Sequence, residues 1–389
     1  MKIACVTTYD LNDRSTWSPG WIGICSSTYR AAKTFEALSL PIDYVGPLSR
    51  QYSLLNRAKS RLYERELRKR YFREADPPVV RSYARQIARR LATSDADVVW
   101  CHENVVPIAC LRSEKPIVLW TDATLASMID WYPYFSNLCA ESIRQIHAIE
   151  RSALRNCALA IYPSEWAAQA AIETYDIDPS KVKVVPYGPN IESRKTRTEI
   201  ETIVDSRPPT PCKLLFIGTD WIRKGGDIAA QVTASLNERG FSTQLTVIGC
   251  SPPVHEHVPD FLRIIGYLDR AKPQDVEALQ ELITQSHLLL LPTRADCFPS
   301  VLTEANSFGV PALTTKVGGL ESLVHDGRNG MTFPLDASTS QYCDYITALV
   351  TDPERYRALA LSSFDEQQTR LSWSVSCEKV KQLMTNLLC

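Results

Sequence analysis

The chain has 389 residues, 44% of them hydrophobic and 22% charged, and 43 lysines and arginines stand against 44 aspartates and glutamates. At roughly 100 to 200 residues per domain this predicts two domains with a sizeable core, and the balanced charge excludes a global field that would draw the chain to nucleic acid. The twelve cysteines form no C-x-x-C pair and several sit in apolar runs, so they read as reduced, mostly buried thiols of a cytoplasmic protein.

The start, MKIACVTTYD, carries one Lys and then a strand-like run too short for the core of a signal peptide. No stretch approaches ~20 consecutive apolar residues, so no spanning helix is expected. Short apolar runs alternate with helical patterns from end to end, as in a parallel sheet wrapped by helices. KIACVTTY predicts the first strand, STYRAAKTFEALSL its helix and IDYVGPLS the second strand. Residues 56–90 follow, with twelve Lys or Arg against four acids and with leucines and aromatics spaced among them. They read as a solvated surface helix pair; the alternative is a basic amphipathic face that touches an anionic membrane or a negatively charged acceptor. Strands are then expected at DVVWCH, PIVLWTD, LAIYPS and VKVVPYG. The polar stretch 190–212, ending in a Pro cluster, reads as an interdomain linker. The alternation restarts at KLLFIGTD, runs through QLTVIGC, LRIIGYL, LLLLPT and PALTTKV, and closes with helices. The expected division is a first domain over 1–190, a linker over 191–211, a second domain over 212–370 and a terminal helix over 371–389.

Two stretches of the second half carry chemistry. In FIGTDWIRKGG a turn after Gly218 delivers Arg223 and Lys224 just before Gly225 and Gly226 open a helix. Ligands of open α/β sheets sit at the carboxyl ends of strands, where helix N-termini offer N–H groups to phosphate, so two cations there suit a diphosphate. An ordinary surface Arg-Lys pair is the plain alternative. Further on, LLLLPT predicts a strand, RADCFPS a loop and VLTEANSFG a helix, which puts Asp296 in the loop and Glu304 in the first turns. An ionised carboxylate accepts two vicinal hydroxyls, so this pair suits a sugar and a ribose, with the amides of Ser300 and Val301 facing phosphate. Local capping by Glu304 and a turn role for Asp296 are the plain alternatives. His255, Glu256 and His257 form a short surface-like triplet and no D-x-D precedes a strand end, so no metal site is expected.

These residues resemble those of retaining glycosyltransferases of the GT-B fold, family 4. Asp296 and Glu304 meet the family's signature of an acid, seven residues and a Glu, and EANSFGVPALTTKVGGLESLVHDGRNGMTFP is similar to the family pattern almost throughout. The resemblance implies that Glu304 holds the ribose hydroxyls of a nucleotide and Asp296 the hydroxyls of a donor sugar. GTDWIRKGG aligns with the family's Gly-Arg, four residues, Lys-Gly element, which makes Lys224 the diphosphate-binding Lys. Thr219 stands where the family has Arg, and Arg223 would replace that charge. Asp296 in place of the first Glu and Pro299 in place of the second Gly are further departures. Gly266 and Tyr267 of IIGYLD lie where base contacts are expected.

The first half fits more loosely. DRSTWSPGWIG occupies the first strand-to-helix loop, where the family has a Gly-rich loop near diphosphate and acceptor; Trp17, Gly20 and Gly23 are the candidates. His102 of DVVWCHEN matches the His placed over the transferred sugar, with a structural His as the plain alternative, and LWTDAT puts Asp122 in the next loop. LSWSVSCEKV resembles the terminal helix that crosses back to the first domain. The implied molecule is α/β, with two Rossmann-like domains facing a central cleft. It would move a hexose from a nucleoside diphosphate sugar, UDP first and GDP second, to a glycan, lipid-linked or small-molecule acceptor, with retention and without metal or cofactor. Its implied location is cytoplasmic, with peripheral contact at the inner face of the membrane as the variant. Competing readings on the same scaffold are a sugar-nucleotide epimerase or phosphorylase, and an inactive binding subunit motivated by Thr219 and Pro299.

Overall fold

Four runs of apolar side chains, IACV, VVWC, IVLW and LAIY, are buried along their whole length and make the centre of the first sheet. Unbroken burial, rather than alternation, is what a parallel sheet covered on both faces requires. The structure is a computed structural model and describes residues 1–17, 21–102, 105–253 and 258–389. In the first sheet β1 (Ile3–Val6), β2 (Ile42–Tyr44), β3 (Val98–Cys101), β4 (Ile117–Trp120), β5 (Leu159–Tyr162) and β6 (Val182–Val184) pair in the order β2-β1-β3-β4-β5-β6, all parallel. The second sheet repeats the plan. Strands β7 (Cys212–Ile217), β8 (Thr243–Ile248), β9 (Leu262–Gly266), β10 (Leu288–Leu291), β11 (Ala312–Thr315) and β12 (Gly330–Phe333) lie parallel in the order β12-β11-β10-β7-β8-β9. The chain order reverses between β1 and β3 in one sheet and between β7 and β10 in the other. At such a switch point the loops leaving two neighbouring strands diverge and open a crevice at the strands' carboxyl ends.

The chain divides into two compact units, Met1–Pro186 with Ser376–Cys389, and Tyr187–Val375. The stretch expected as a linker, 191–211, is therefore corrected: it holds a helix, Arg197–Ser206, and belongs to the second unit. Thr196 and Glu199 form a capping box at its start, and Ile200 and Val204 are buried. Arg197 and Asp205 pair with Asp365 and Arg357 of the helix Pro353–Arg370. The terminal segment is assigned to the first unit from Ser376 on rather than from 371. Cys377, Val380 and Met384 form its buried stripe, and the Cys377 thiol lies 3.7 Å from the Ala31 carbonyl of the helix Ile22–Ala37. Most of the described cysteines are buried. No helix among the described residues is long and apolar enough to cross a membrane.

Two histidines are enclosed as neutral rings. His102 sits edge-on to Trp100 and Trp120, and burial pushes its pKa down to about 3. His287 accepts the Lys213 amide on Nδ1 and donates from Nε2 to the Pro208 carbonyl, and burial, with Arg207 nearby, lowers its pKa to about 4. Both folded values lie below the unfolded value of about 6.5, so the unfolded chain takes up these protons first. Their contribution is complete above pH ~6.5 and is lost as pH falls toward 3–4, at up to ~1.4 kcal/mol per pH unit for each ring. The urea midpoint should therefore drop between pH 7 and 5, and His287→Gln should shrink that drop. An unchanged pH slope in the variant would contradict the assignment.

Candidate functional site

The turn that follows β7 is built around its own carboxylate. Asp220 accepts the Arg223 amide on its side chain at 3.0 Å and the Lys224 amide on its carbonyl at 3.0 Å. Gly225 then turns with φ of +78° to start the helix Gly226–Glu238, and a Cβ there would stand 2.0 Å from the Pro292 carbonyl oxygen just past β10. Glycine is required by both the backbone angle and the contact. The loop after β10 is tied to this turn: the Arg294 amide donates to the Arg223 carbonyl at 2.7 Å, and the Arg294 guanidinium forks onto Asp227 at 2.8 and 2.7 Å. Across the joined loops the Lys224 ammonium is bonded to the Asp296 carboxylate, which is buried. Arg223 donates to the Ala295 carbonyl at 2.8 Å, with its guanidinium 4.0 Å from Asp296. The switch point thus brings together Lys224, Arg223 and Asp296. Thr219, at the end of β7, is exposed.

Glu304 lies in the helix Ser300–Asn306, which a buried amide pair anchors: Asn306 donates to the Val310 and Asn329 carbonyls, and Asn329 returns a bond to Asn306 at 2.9 Å. Pro299, φ −73°, precedes the helix, and its carbonyl accepts the Leu302 amide, so the proline fits this cap without strain. The amides of Ser300 and Val301 occupy the first turn, where helix geometry provides no internal acceptor. The Glu304 side chain has 0% exposure, and Arg270 forks onto it with bonds of 2.5 and 3.0 Å. Ser300 Oγ donates to the same carboxylate at 3.1 Å, and Asn190 donates to Ser300 at 3.2 Å. Neither Arg270 nor Asn190 is singled out by the sequence reading. Arg270 had one legible signal, a cation just past the carboxyl end of β9. Gly266 takes φ of +80° with open space at its Cβ, and Tyr267 is 51% exposed.

The first unit disposes its candidates differently. His102, 2% exposed, follows β3 directly with Nδ1 3.1 Å from Thr28 Oγ1, so it is a neutral, enclosed ring rather than an open one. The Trp17 indole N–H donates to the Asp10 carbonyl at 2.8 Å and its ring packs edge-on to Tyr9 and Tyr29. Gly23 is exposed in the first turn of its helix, Asp122 is half-buried after β4, and Gly20 and the triplet His255, Glu256 and His257 lie outside the described residues. A cavity of about 540 Å³ opens at the switch point of the first sheet, between the loops leaving β1 and β3. Trp21, Phe72 and Tyr134 supply aromatic wall, and Asp10, Arg50 and Glu74 supply charge. Trp21 and Phe72 both meet Tyr134 edge-on, at 5.9 and 6.0 Å. From the first loop the rings of Tyr9 and Trp21 line this cavity, while Trp17 packs beside it on Tyr9 and Tyr29.

The turn at Gly225 gives a stability test. Gly225→Ala should cost ~3 kcal/mol, because it combines a positive φ with a backbone overlap. Gly240→Ala, at φ of +80° with nothing within 4 Å of its Cβ, should cost only ~1 kcal/mol. Equal losses of denaturation midpoint in the two variants would show that the Pro292 contact yields.

Two family models match the chain: Glycosyltransferase Family 4 over residues 28–193 and Glycosyl transferases group 1 over residues 211–352. Among curated proteins it is similar to the D-inositol 3-phosphate glycosyltransferases of Corynebacterium urealyticum, 26% identical over 229 residues, and Corynebacterium aurimucosum, 24% over 254. These matches cover 55% and 61% of this chain and 53% and 59% of the relatives, so the chain spans little more than half the length of the curated relatives it matches. Among solved structures it resembles the Anabaena protein HepE in complex with UDP, with TM-score 0.65, 14% identity and coverage of 99% and 100% of the two chains. It also resembles WaaG, a glycosyltransferase involved in lipopolysaccharide biosynthesis, with TM-score 0.63, 18% identity and the same coverage. The two parallel six-stranded sheets are the two Rossmann-like domains of the GT-B fold, and the chain belongs to the family 4 glycosyltransferases, glycosyl transferases group 1.

Proposed function

We propose that this protein transfers a hexose from a nucleoside diphosphate sugar to a hydroxyl acceptor with retained anomeric configuration. The observation that carries this reading is the cluster at the switch point of the second sheet, where Lys224 and Arg223 meet Asp296 and the next helix presents Glu304. Glu304 would receive the ribose diol, the Lys224 and Arg223 cations the diphosphate, and Asp296 the hydroxyls of the hexose. In the transfer the bond from C1 to the phosphate oxygen breaks, the bond from C1 to the acceptor oxygen forms, and the acceptor's proton passes to the departing phosphate. Fixed cations that strengthen their hold as charge develops on that phosphate accelerate the step. Transfer on this account needs no metal. UDP is the favoured nucleotide, a reading supported by the HepE complexes with UDP and UDP-glucose. The first unit's cavity, with aromatic wall beside Asp10, Arg50 and Glu74, is the acceptor site; it suits a polyol or sugar that carries an anionic group, as in the name of the curated relatives.

Purified protein incubated with a panel of UDP- and GDP-sugars and candidate acceptors should release nucleoside diphosphate in step with glycosylated product, in EDTA as well as without it. Epimerised donor with no diphosphate would favour the epimerase reading, and no turnover with retained binding the inactive subunit. Lys224→Ala should weaken binding of UDP by roughly 1.5 to 3 kcal/mol, the worth of a charged hydrogen bond, in a calorimetric titration. Unchanged affinity would move the phosphate site elsewhere.

The basic segment supports a partner as well. On the helix Leu54–Arg65 the inward face is polar, with Asn56 and Ser60 buried, and Lys59 and Tyr63 hold Glu141. Leu54, opposite that face, and Leu55 and Leu62, on its flank, are 84%, 67% and 55% exposed, and Leu67 beyond the helix is 57% exposed. Arg57, Arg61, Arg65, Arg68 and Lys69 stand exposed around them. Leucines turned outward among cations fit an anionic bilayer, into which the side chains insert while the charges meet headgroups, and a merely solvated helix leaves them unexplained. The protein should sediment with phosphatidylglycerol vesicles but not with phosphatidylcholine vesicles, and Leu54→Ser with Leu55→Ser should reduce that binding. Equal sedimentation of wild type and variant would return this face to solvent.

A further inference from the structure

Both oxygens of Glu304 are already engaged. Oε1 accepts Arg270 Nη1 at 2.5 Å and Ser300 Oγ at 3.1 Å, and Oε2 accepts Arg270 Nη2 at 3.0 Å. A carboxylate offers about two lone pairs on each oxygen, so Oε1 is filled and Oε2 has one place left. A ribose diol bridging the two oxygens needs a place on each. On the reading that Glu304 receives the ribose, the diol and the Arg270 fork therefore compete for the same lone pairs.

We infer that Arg270 is a latch on the nucleotide site, a cation that holds Glu304 and leaves it when a ribose diol arrives. The placement suits the role. Glu304 has no solvent exposure and would be a costly buried charge without a cation, and the Arg270 fork supplies that cation. Arg270 comes from the loop between β9 and the helix Pro273–Thr284, and its side chain keeps 20% exposure where Glu304 has none. Its neighbour Asp269 fixes the loop backbone by accepting the Ala271 amide at 2.9 Å, which leaves the Arg270 side chain as the moving part. Lys224, by contrast, is bonded to Asp296 and takes no part in the Glu304 pair. Arg270 is thus a positioning residue: it acts on the ligand through Glu304 and sets how much of the diol's binding free energy is spent on opening the site.

The latch also discriminates between ligands. A 2′-deoxyribose offers a single hydroxyl, which the remaining place on Oε2 can take with the fork intact, whereas the full diol must open it. Calorimetric titration of UDP and 2′-deoxy-UDP, and of GDP and 2′-deoxy-GDP, into wild type, Arg270→Gln and Arg270→Lys tests this. The glutamine variant should bind the ribonucleotide up to about fivefold more tightly than wild type, the worth of a partly exposed ion pair, with little change for the deoxy form. The lysine variant keeps a cation beside Glu304, guards against loss of fold, and should fall between the two. In turnover, donor KM should fall and kcat hold.

Unchanged ribonucleotide affinity in both variants would show that the fork does not stand in the way, and weaker affinity would make Arg270 a direct nucleotide ligand; either result overturns the latch. Equal tightening for the ribo and deoxy forms overturns it too. A wild type that binds nucleotide and loses it in Glu304→Gln, while the Arg270 variants do not tighten, sinks the latch and leaves the donor-site reading standing. A wild type that binds none of the four nucleotides sinks both.

Discussion

A carboxylate with no solvent exposure has to be compensated inside the protein, and Glu304 imposes that condition on the second unit. The elements around it meet the condition from three sides. The β9 loop supplies the Arg270 fork, the first turn of the acid's own helix supplies Ser300, and the segment entering the second unit supplies Asn190 to hold Ser300. Asp296, almost as enclosed, is met by Lys224 in the same way. Replacing such pairs by packed apolar side chains is often neutral or stabilising, whereas removing one partner alone leaves a buried charge uncompensated and is costly.

The two sheets give the same frame to different chemistry. In the second, the switch point is closed by stitched loops with charge pairs and a glycine pressed against Pro292. In the first, the switch point is left open as a cavity of about 540 Å³ walled by aromatic rings. His102 borders neither role as an open acid or base. Its ring is packed between two tryptophans and bonded to Thr28, and burial lowers its pKa to about 3. A neutral imidazole in that setting orients or packs; it does not carry a proton at ordinary pH.

Most of the fold was legible because a parallel sheet writes its strands as unbroken apolar runs, and each of the strands anticipated by such a run is present. The helix Arg197–Ser206 reads as linker in the sequence because its polar, Pro-ended surroundings hide a two-residue apolar face, Ile200 and Val204; the T-R-T-E capping box is the signal that marks it. At the site, Lys224 and Asp296 lie 72 residues apart, yet their place at neighbouring strand ends made their meeting foreseeable. Arg270 was not foreseeable as a partner of Glu304, because nothing local fixes where a long side chain from a neighbouring loop will point. Trp17 and Trp21 illustrate the same limit: four residues apart in one loop, one packs inward on Asp10 and the other walls the cavity.

The most direct test of the donor site is a crystal structure of the protein soaked with UDP. The account predicts the ribose hydroxyls on Glu304, with the diphosphate against Lys224 and the first turn of the helix Ser300–Asn306. Nucleotide bound away from Glu304, with the Lys224–Asp296 and Arg270–Glu304 pairs undisturbed, would contradict it.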